Sequence, residues 1–147
     1  MSFRKKSRGG PDFGSVVLCV FSPTRIVLVK DKSFPEPFWK LPGGSIEPTD
    51  TGIISAAIRE CREETGIQLT MSEVFLHSLW WERRGKTAYR PNFCIVRVSE
   101  EKLDTRLKVG DEDGHTLMVA AFDKDEVPIM VDLLEQHRPL VNEAFST

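Results

Sequence analysis

LPGGSIEPTDTGIISAAIRECREETGI, residues 41–67, decides the fold of this 147-residue chain. A glycine pair opens the stretch, a short loop follows, and the second half has the spacing of a helix. Successive helical residues rotate by about 100°. Ile54, Ala57, Ile58 and Cys61 therefore share a face at i, i+3, i+4 and i+7, the pattern of a helix lying on a core. Glu60, Glu63 and Glu64 form a second cluster, turned by about 120° from the apolar one. The helix is predicted from about Thr51 to Thr65. Thr49, Asp50 or Thr51 can cap its first amides. Helix interiors disfavour Gly52, so the first turn is irregular or starts after it. Gly66 supplies the left-handed residue that ends it.

Three carboxylates packed this way repel one another, at about 0.2–0.5 kcal/mol per like-charged i,i+4 pair. Arg59 and Arg62 relieve part of that, since Arg59 stands four residues before Glu63. A solvated acidic face is the ordinary outcome. A glycine pair, a short loop and a carboxylate helix edged against a core can instead make an oxygen-lined pocket. Hard divalent cations such as Mg²⁺ take oxygen ligands, usually a few carboxylates plus substrate phosphates.

The run Gly44…Arg59-Glu60-Cys61-Arg62-Glu63-Glu64-Thr65-Gly66-Ile67 resembles the signature of the Nudix hydrolases. That pattern is Gly, five residues, Glu, seven residues, then Arg-Glu-apolar-x-Glu-Glu-x-Gly-apolar. The second half matches at every specified position, with Cys61 and Ile67 in the apolar slots. Trp39-Lys40-Leu41-Pro42-Gly43-Gly44 is similar to the family's usual approach to it. The first half departs from the pattern. Counting forward from Gly44, the early Glu falls on Asp50; counting back from Arg59, it falls on Thr51. The loop Glu47-Pro48-Thr49-Asp50-Thr51 thus holds one residue more than the pattern allows, and either Asp50 does the early Glu's work or nothing does.

The resemblance implies an α/β fold, an α/β/α sandwich with a mixed β-sheet between helices. It implies hydrolysis of a nucleoside diphosphate linked to another group, with Mg²⁺ or Mn²⁺ as cofactor. Carried over residue by residue, Glu60, Glu63, Glu64 and the backbone carbonyl of Gly43 would be the metal ligands. Arg59 would orient the carboxylates by a bidentate pair. The general base is a motif carboxylate such as Glu63, or an acid from a later loop. Asp111-Glu112-Asp113 is the natural source of the second kind, with Glu112 the choice and a solvated acidic loop the alternative.

Composition sets outer bounds. The length suits one domain, with residues 1–12 a flexible basic tail and 13–147 the folded unit. A formal net charge of -2 predicts no dominant attraction to nucleic acid or membrane. The longest apolar runs, such as Ser15–Phe21, are too short to span a bilayer. The basic N-terminus lacks the apolar run of a secretory signal. Cys19, Cys61 and Cys94 are odd in number and widely spaced, which predicts buried thiols in a reducing, cytoplasmic setting.

Along the chain, SVVLCVF (Ser15–Phe21) reads as a strand buried on both faces, and Arg25–Lys30 as its hairpin partner. Ser33–Trp39 is a loop because of Pro35 and Pro37. Phe34, Phe38 or Trp39 could stack on a base, although packing is the commoner fate. A short strand Trp39–Leu41 follows. Val74–Glu82 and Thr87–Val98 read as two strands joined by the turn Arg83-Arg84-Gly85-Lys86, with Pro91 a break or an edge. Leu117–Phe122 is a further strand. Val127–Phe145 is a closing helix, kinked or interrupted at Pro139. Arg83, Arg84, Lys86 and Arg90, with Trp39, are the candidate substrate contacts; cations beside aromatics can hold a phosphate and stack a base. Pro91 and Tyr89 lie further past Ile67 than the subtype marks of similar ADP-ribose or dinucleoside polyphosphate enzymes. The resemblance implies a small nucleotide as the partner, such as a nucleoside triphosphate or a nucleotide sugar, and a monomer or homodimer is expected. An RNA 5′ end is a second candidate, and a non-cleaving nucleotide-binding module a third.

Overall fold

The apolar run Ser15–Phe21 is the strand on which the sheet is built. The structure, a computed structural model, describes residues 14–32, 38–77, 82–84, 87–89, 91–110, 114 and 116–147. Its elements run β1 (Ser15–Phe21), β2 (Arg25–Asp31), β3 (Trp39–Lys40), β4 (Gly43–Ser45), α1 (Ile53–Thr65), β5 (Val74–Leu76), β6 (Glu82–Arg84), β7 (Thr87–Tyr89), β8 (Asn92–Arg97), α2 (Glu100–Arg106), β9 (Thr116–Asp123) and α3 (Arg138–Phe145). Single 3-10 turns lie at Met71–Glu73, Val127–Ile129 and Glu135–His137.

Side chains alternate along a strand, and β1 uses both of its faces. Val16, Leu18 and Val20 enter one core with Ala56, Ala57 and Cys61 of α1 and Leu103 of α2. Val17, Cys19 and Phe21 enter another with Leu140, Val141 and Ala144 of α3. Helices thus cover both faces of a seven-stranded sheet, an α/β/α sandwich. The sheet is mixed: β8 runs parallel to β1, whereas β2, β4 and β5 pair antiparallel with their neighbours.

Three local expectations are corrected. The β1–β2 hairpin pairs only at Phe21↔Ile26, because β4 takes the first half of that edge of β1. The long partner of β2 is β9, from Arg25↔Asp123 to Asp31↔Thr116. The predicted partners Val74–Glu82 and Thr87–Val98 do pair antiparallel where they are described: β5 with β8 in the main sheet, and β6 with β7. Pro91, which has no N–H to donate, stands at the break before β8. The helix α2 has no counterpart in the sequence reading. Ser99 caps it by accepting the Lys102 N–H at 3.1 Å, with Glu100 and Glu101 in the first turn and Arg106 in the last, favourable at each end of the helix dipole. The closing helix is shorter than expected. Pro139 stands in its first turn, where its fixed φ fits and its missing N–H costs nothing, so it starts α3 rather than interrupting it.

The segment before α3 straps β3. Trp39 N–H donates to the Asp132 carbonyl at 2.9 Å, Leu134 N–H donates to the Trp39 carbonyl at 2.8 Å, and Leu41 N–H donates to Nδ1 of His137 at 3.0 Å. His137 is 5% exposed. Burial, aided by the Lys40 charge, pushes its pKa down to about 3. The unfolded imidazole takes its proton near pH 6.5, the folded one only near 3. The unfolded state binds more protons between these values, so the contribution to stability is complete above about pH 6.5 and is lost as pH falls toward 3. Urea titrations at pH 7 and pH 5 should show a loss of stability on acidification that is much smaller in His137→Asn.

Candidate active site

The buried face of α1 is turned from the predicted Ile54–Ala57–Ile58–Cys61 stripe toward the acidic cluster. Ala56, Ala57 and Cys61 are fully buried, and Ile54 and Ile58 only partly. The buried face is therefore turned toward Ala56, which carries Glu60 and Glu64 inward at 7% and 6% exposure. What receives them is β4. A Cβ on Gly44 would strike the Glu60 carboxylate, so only the bare main chain lets that carboxylate approach. A Cβ on Gly43 would strike the Val16 carbonyl of β1, and the Gly43 N–H donates to Glu64 Oε1 at 2.9 Å. The helix starts at Ile53 on a Gly52 N-cap without a side-chain cap, so none of Thr49, Asp50 or Thr51 caps it.

Asp50 is engaged elsewhere. Arg59 grips it with a two-pronged ion pair, Nε to Oδ1 and Nη2 to Oδ2, each 2.9 Å. The Asp50 side chain is 4% exposed and also accepts the Glu47 N–H at 2.8 Å. Burial opposes its charge, but the hydrogen bonds from Arg59 and the Glu47 amide outweigh that and hold its pKa below the ordinary value. The same guanidinium donates from Nη2 to the Ser45 carbonyl at 3.1 Å, and from Nη1 to Glu60 at 3.1 Å and Glu63 at 3.3 Å. Burial alone would lower the Arg59 pKa; the hydrogen bond to Asp50 and the nearby carboxylates raise it well above the usual value.

The far end of α1 is tied as tightly. Gly66 has φ +82, and a Cβ there would lie 2.6 Å from the carbonyl oxygens of Arg106 and Lys108. Lys108 N–H donates to the Thr65 carbonyl at 2.9 Å, and Gly110 N–H to the Glu63 carbonyl at 2.8 Å. The chain that leads to the acidic run is thus fastened to the backbone of Glu63. Asp111, Glu112 and Asp113 themselves lie outside the described residues, as do Lys86, Arg90 and the basic tail. Arg83 and Arg84 belong to β6, one step before the turn predicted to hold them. Trp39 is 9% exposed, edge-on to Phe122 at 4.7 Å with Lys30 Nζ 4.9 Å from its ring, so core packing occupies the ring.

Among the described residues, no three His, Cys, Asp or Glu side chains converge into a finished metal cluster. Arg59 bridges Glu60 and Glu63 instead. The donor set is nevertheless all oxygen, anionic and pressed against the Gly43-Gly44 main chain, which fits a hard divalent cation. Thiol chemistry is disfavoured: Cys19, Cys61 and Cys94 are buried, and burial pushes Cys61 up to about 11 and Cys94 up to about 12. Among the described residues no helix is long and apolar enough to cross a membrane. The sequence reading offered Asp50 as a helix cap or as a stand-in for the early Glu, not as the partner of Arg59, and missed the Ser45 carbonyl and His137. An acid in the position counted forward from Gly44 was the available signal for Asp50.

A family model described as the NUDIX domain matches residues 12–143. A putative 8-oxo-dGTP diphosphatase of Bacillus subtilis (strain 168) is 39% identical over 59 residues; the match covers 40% of this chain and 38% of that protein. The chain thus spans well under half the length of that relative. Among solved structures, the NUDIX domain of Shewanella oneidensis NrtR, complexed with ADP ribose, superposes with TM-score 0.76 at 16% identity, covering 99% of this chain and 98% of that one. A NUDIX hydrolase from Nitrosomonas europaea gives 0.67 at 18% identity over 93% and 89% of the two chains. A C. elegans Ap4A hydrolase gives 0.65 at 15% identity over 91% and 95%.

Asp50→Asn removes the charge from the two-pronged pair. It should cost about 1.5–3 kcal/mol in urea unfolding. A cost near zero would mean that the Arg59–Asp50 pair does not hold the loop.

Proposed function

Because the chain belongs to the Nudix hydrolase family, we propose that it hydrolyses a pyrophosphate bond in a nucleoside diphosphate linked to a second group. The substrate class is a small nucleotide, such as a nucleoside triphosphate or a nucleotide sugar. The observation that carries the reading is the carboxylate side of α1 pressed against Gly43-Gly44 and organised by Arg59. Glu60, Glu63, Glu64 and the Gly43 carbonyl would hold Mg²⁺ or Mn²⁺. Such a cation would neutralise phosphate charge and acidify the water that attacks phosphorus.

The chain's own groups do the rest. Arg59 holds Glu60 and Glu63 side by side through Nη1, which offsets their mutual repulsion before the polyanion binds. The Glu63 side chain, at 21% exposure, is open to solvent while its backbone is held by Gly110, and can take up a proton. Glu112 is the alternative acceptor, on the run that Gly110 leads into. Arg83, Arg84, Lys86 and Arg90 are assigned to substrate phosphates as cations, while Trp39 contributes packing. A cytoplasmic location accords with three buried, unpaired cysteines.

The decisive experiment is phosphate or pyrophosphate release across nucleoside triphosphates, nucleotide sugars, ADP-ribose and 5′-triphosphate RNA, each with Mg²⁺ and with EDTA. Turnover of one nucleotide class that EDTA abolishes is the expected result. Binding without turnover under every condition would turn the reading to a nucleotide-sensing module. Glu63→Gln should shift stability by no more than about 1 kcal/mol while lowering turnover by about 10²–10⁴-fold. Activity within a few-fold of wild type would remove Glu63 from the chemistry. Arg84→Ala should raise KM for the substrate so identified and leave kcat within a few-fold; an unchanged KM would return that residue to a solvated strand.

A further inference from the structure

A buried backbone N–H needs an acceptor, and the one on Leu41 finds it far away in sequence. Leu41 is fully buried, and its N–H donates to His137 Nδ1 at 3.0 Å across 96 positions. Nδ1 therefore carries no proton, and the ring's hydrogen sits on Nε2. Only Pro42 separates Leu41 from Gly43. Its ring locks φ, and its carbonyl accepts the Leu18 N–H at 2.9 Å. Gly43 then donates to Glu64 Oε1 at 2.9 Å. Three consecutive residues are thus each held: Leu41 to the turn before α3, Pro42 to β1, and Gly43 to the carboxylate helix as well as to β1 through strand pairing opposite Val17. Few soft torsions lie between the first pin and the third, so a shift of Leu41 is carried to Gly43. The same C-terminal segment also holds Trp39 through Asp132 and Leu134, which leaves little slack upstream.

We propose that His137 is a positioning residue for the Gly43–Glu64 corner of the site, acting through the main chain of Leu41-Pro42-Gly43; this rests on reading Gly43 and Glu64 as cation ligands. A histidine serving only to fill volume could be replaced by leucine with no effect beyond stability. A positioning histidine requires an acceptor where Nδ1 lies. Asparagine offers its Oδ1 at that place, whereas glutamine carries its amide out to where Nε2 lies.

The test compares wild type with His137→Leu, His137→Asn and His137→Gln at a temperature where each is folded. Two quantities are read: amide hydrogen exchange of Leu41 and Gly43 without metal, and Mn²⁺ affinity by electron paramagnetic resonance. In His137→Leu, exchange at Gly43 should quicken by about 10-fold or more, and the Mn²⁺ Kd should rise about 10-fold or more. His137→Asn should return both to within a few-fold of wild type, and His137→Gln should not. If His137→Leu fails to fold, the Asn–Gln contrast alone decides. Variants that melt lower but keep wild-type exchange and Mn²⁺ affinity would overturn the proposal. Wild-type protein that binds no Mn²⁺ would defeat the functional reading instead, and metal-free exchange at Gly43 would still judge the role of His137.

Discussion

A single guanidinium stands among the carboxylates of Asp50, Glu60 and Glu63, and the rest of the site depends on it. Glu60 and Glu64 are nearly withdrawn from water. Desolvating an ion costs several kcal/mol unless charge and hydrogen bonds compensate. Arg59 supplies that compensation for Glu60, and the Gly43 amide supplies a hydrogen bond for Glu64. Asp50 is the complement from the other side. It saturates one edge of the guanidinium and leaves Nη1 to face the helix, so the direction of the fork is set before any ligand arrives. Among the described residues the balance remains negative, since Arg59, with Arg62 beside Glu63, faces Glu47, Asp50, Glu60 and Glu63. That excess makes a divalent cation welcome there and bare phosphate unwelcome.

How much of this was legible follows from how local each feature is. β1 was readable because a β-branched apolar run buried on both faces looks the same from any context. The helix α1 was readable from its period and from Gly66, whose left-handed φ ends it. The partner of β2 was not, because β9 lies far along the chain and strand pairing leaves no mark in a local pattern. Helix α2 is seven residues long and buries Leu103 alone, so it has no apolar period to recognise. The site divides in the same way. Which acids share a side of α1 is a matter of rotation per residue. That this side is buried is a tertiary fact, set by the two glycines of β4 beneath it. His137 had no local signal at all: the amide it accepts from lies 96 positions away in the sequence.

The extra residue in the loop before α1 shows which spacings a site of this kind must keep. Within the helix, positions are rigid. Arg59 meets Glu60 and Glu63 only at their present offsets, and an insertion there would turn them away from one another by about 100°. Before the helix the constraint is different. Asp50 has only to deliver a carboxylate to a guanidinium already held by Ser45, Glu60 and Glu63. The turn from Glu47 to Asp50 closes on itself, with Asp50 N–H on the Glu47 carbonyl and Glu47 N–H on the Asp50 side chain. Chain length beyond that turn is taken up by Thr51 and Gly52, both exposed and ahead of the first helical residue. The additional residue therefore falls where the backbone is slack, and the acid counted forward from Gly44 still reaches Arg59. A site that depends on one fork tolerates variation in how its partner arrives, and none in the helix that carries the fork.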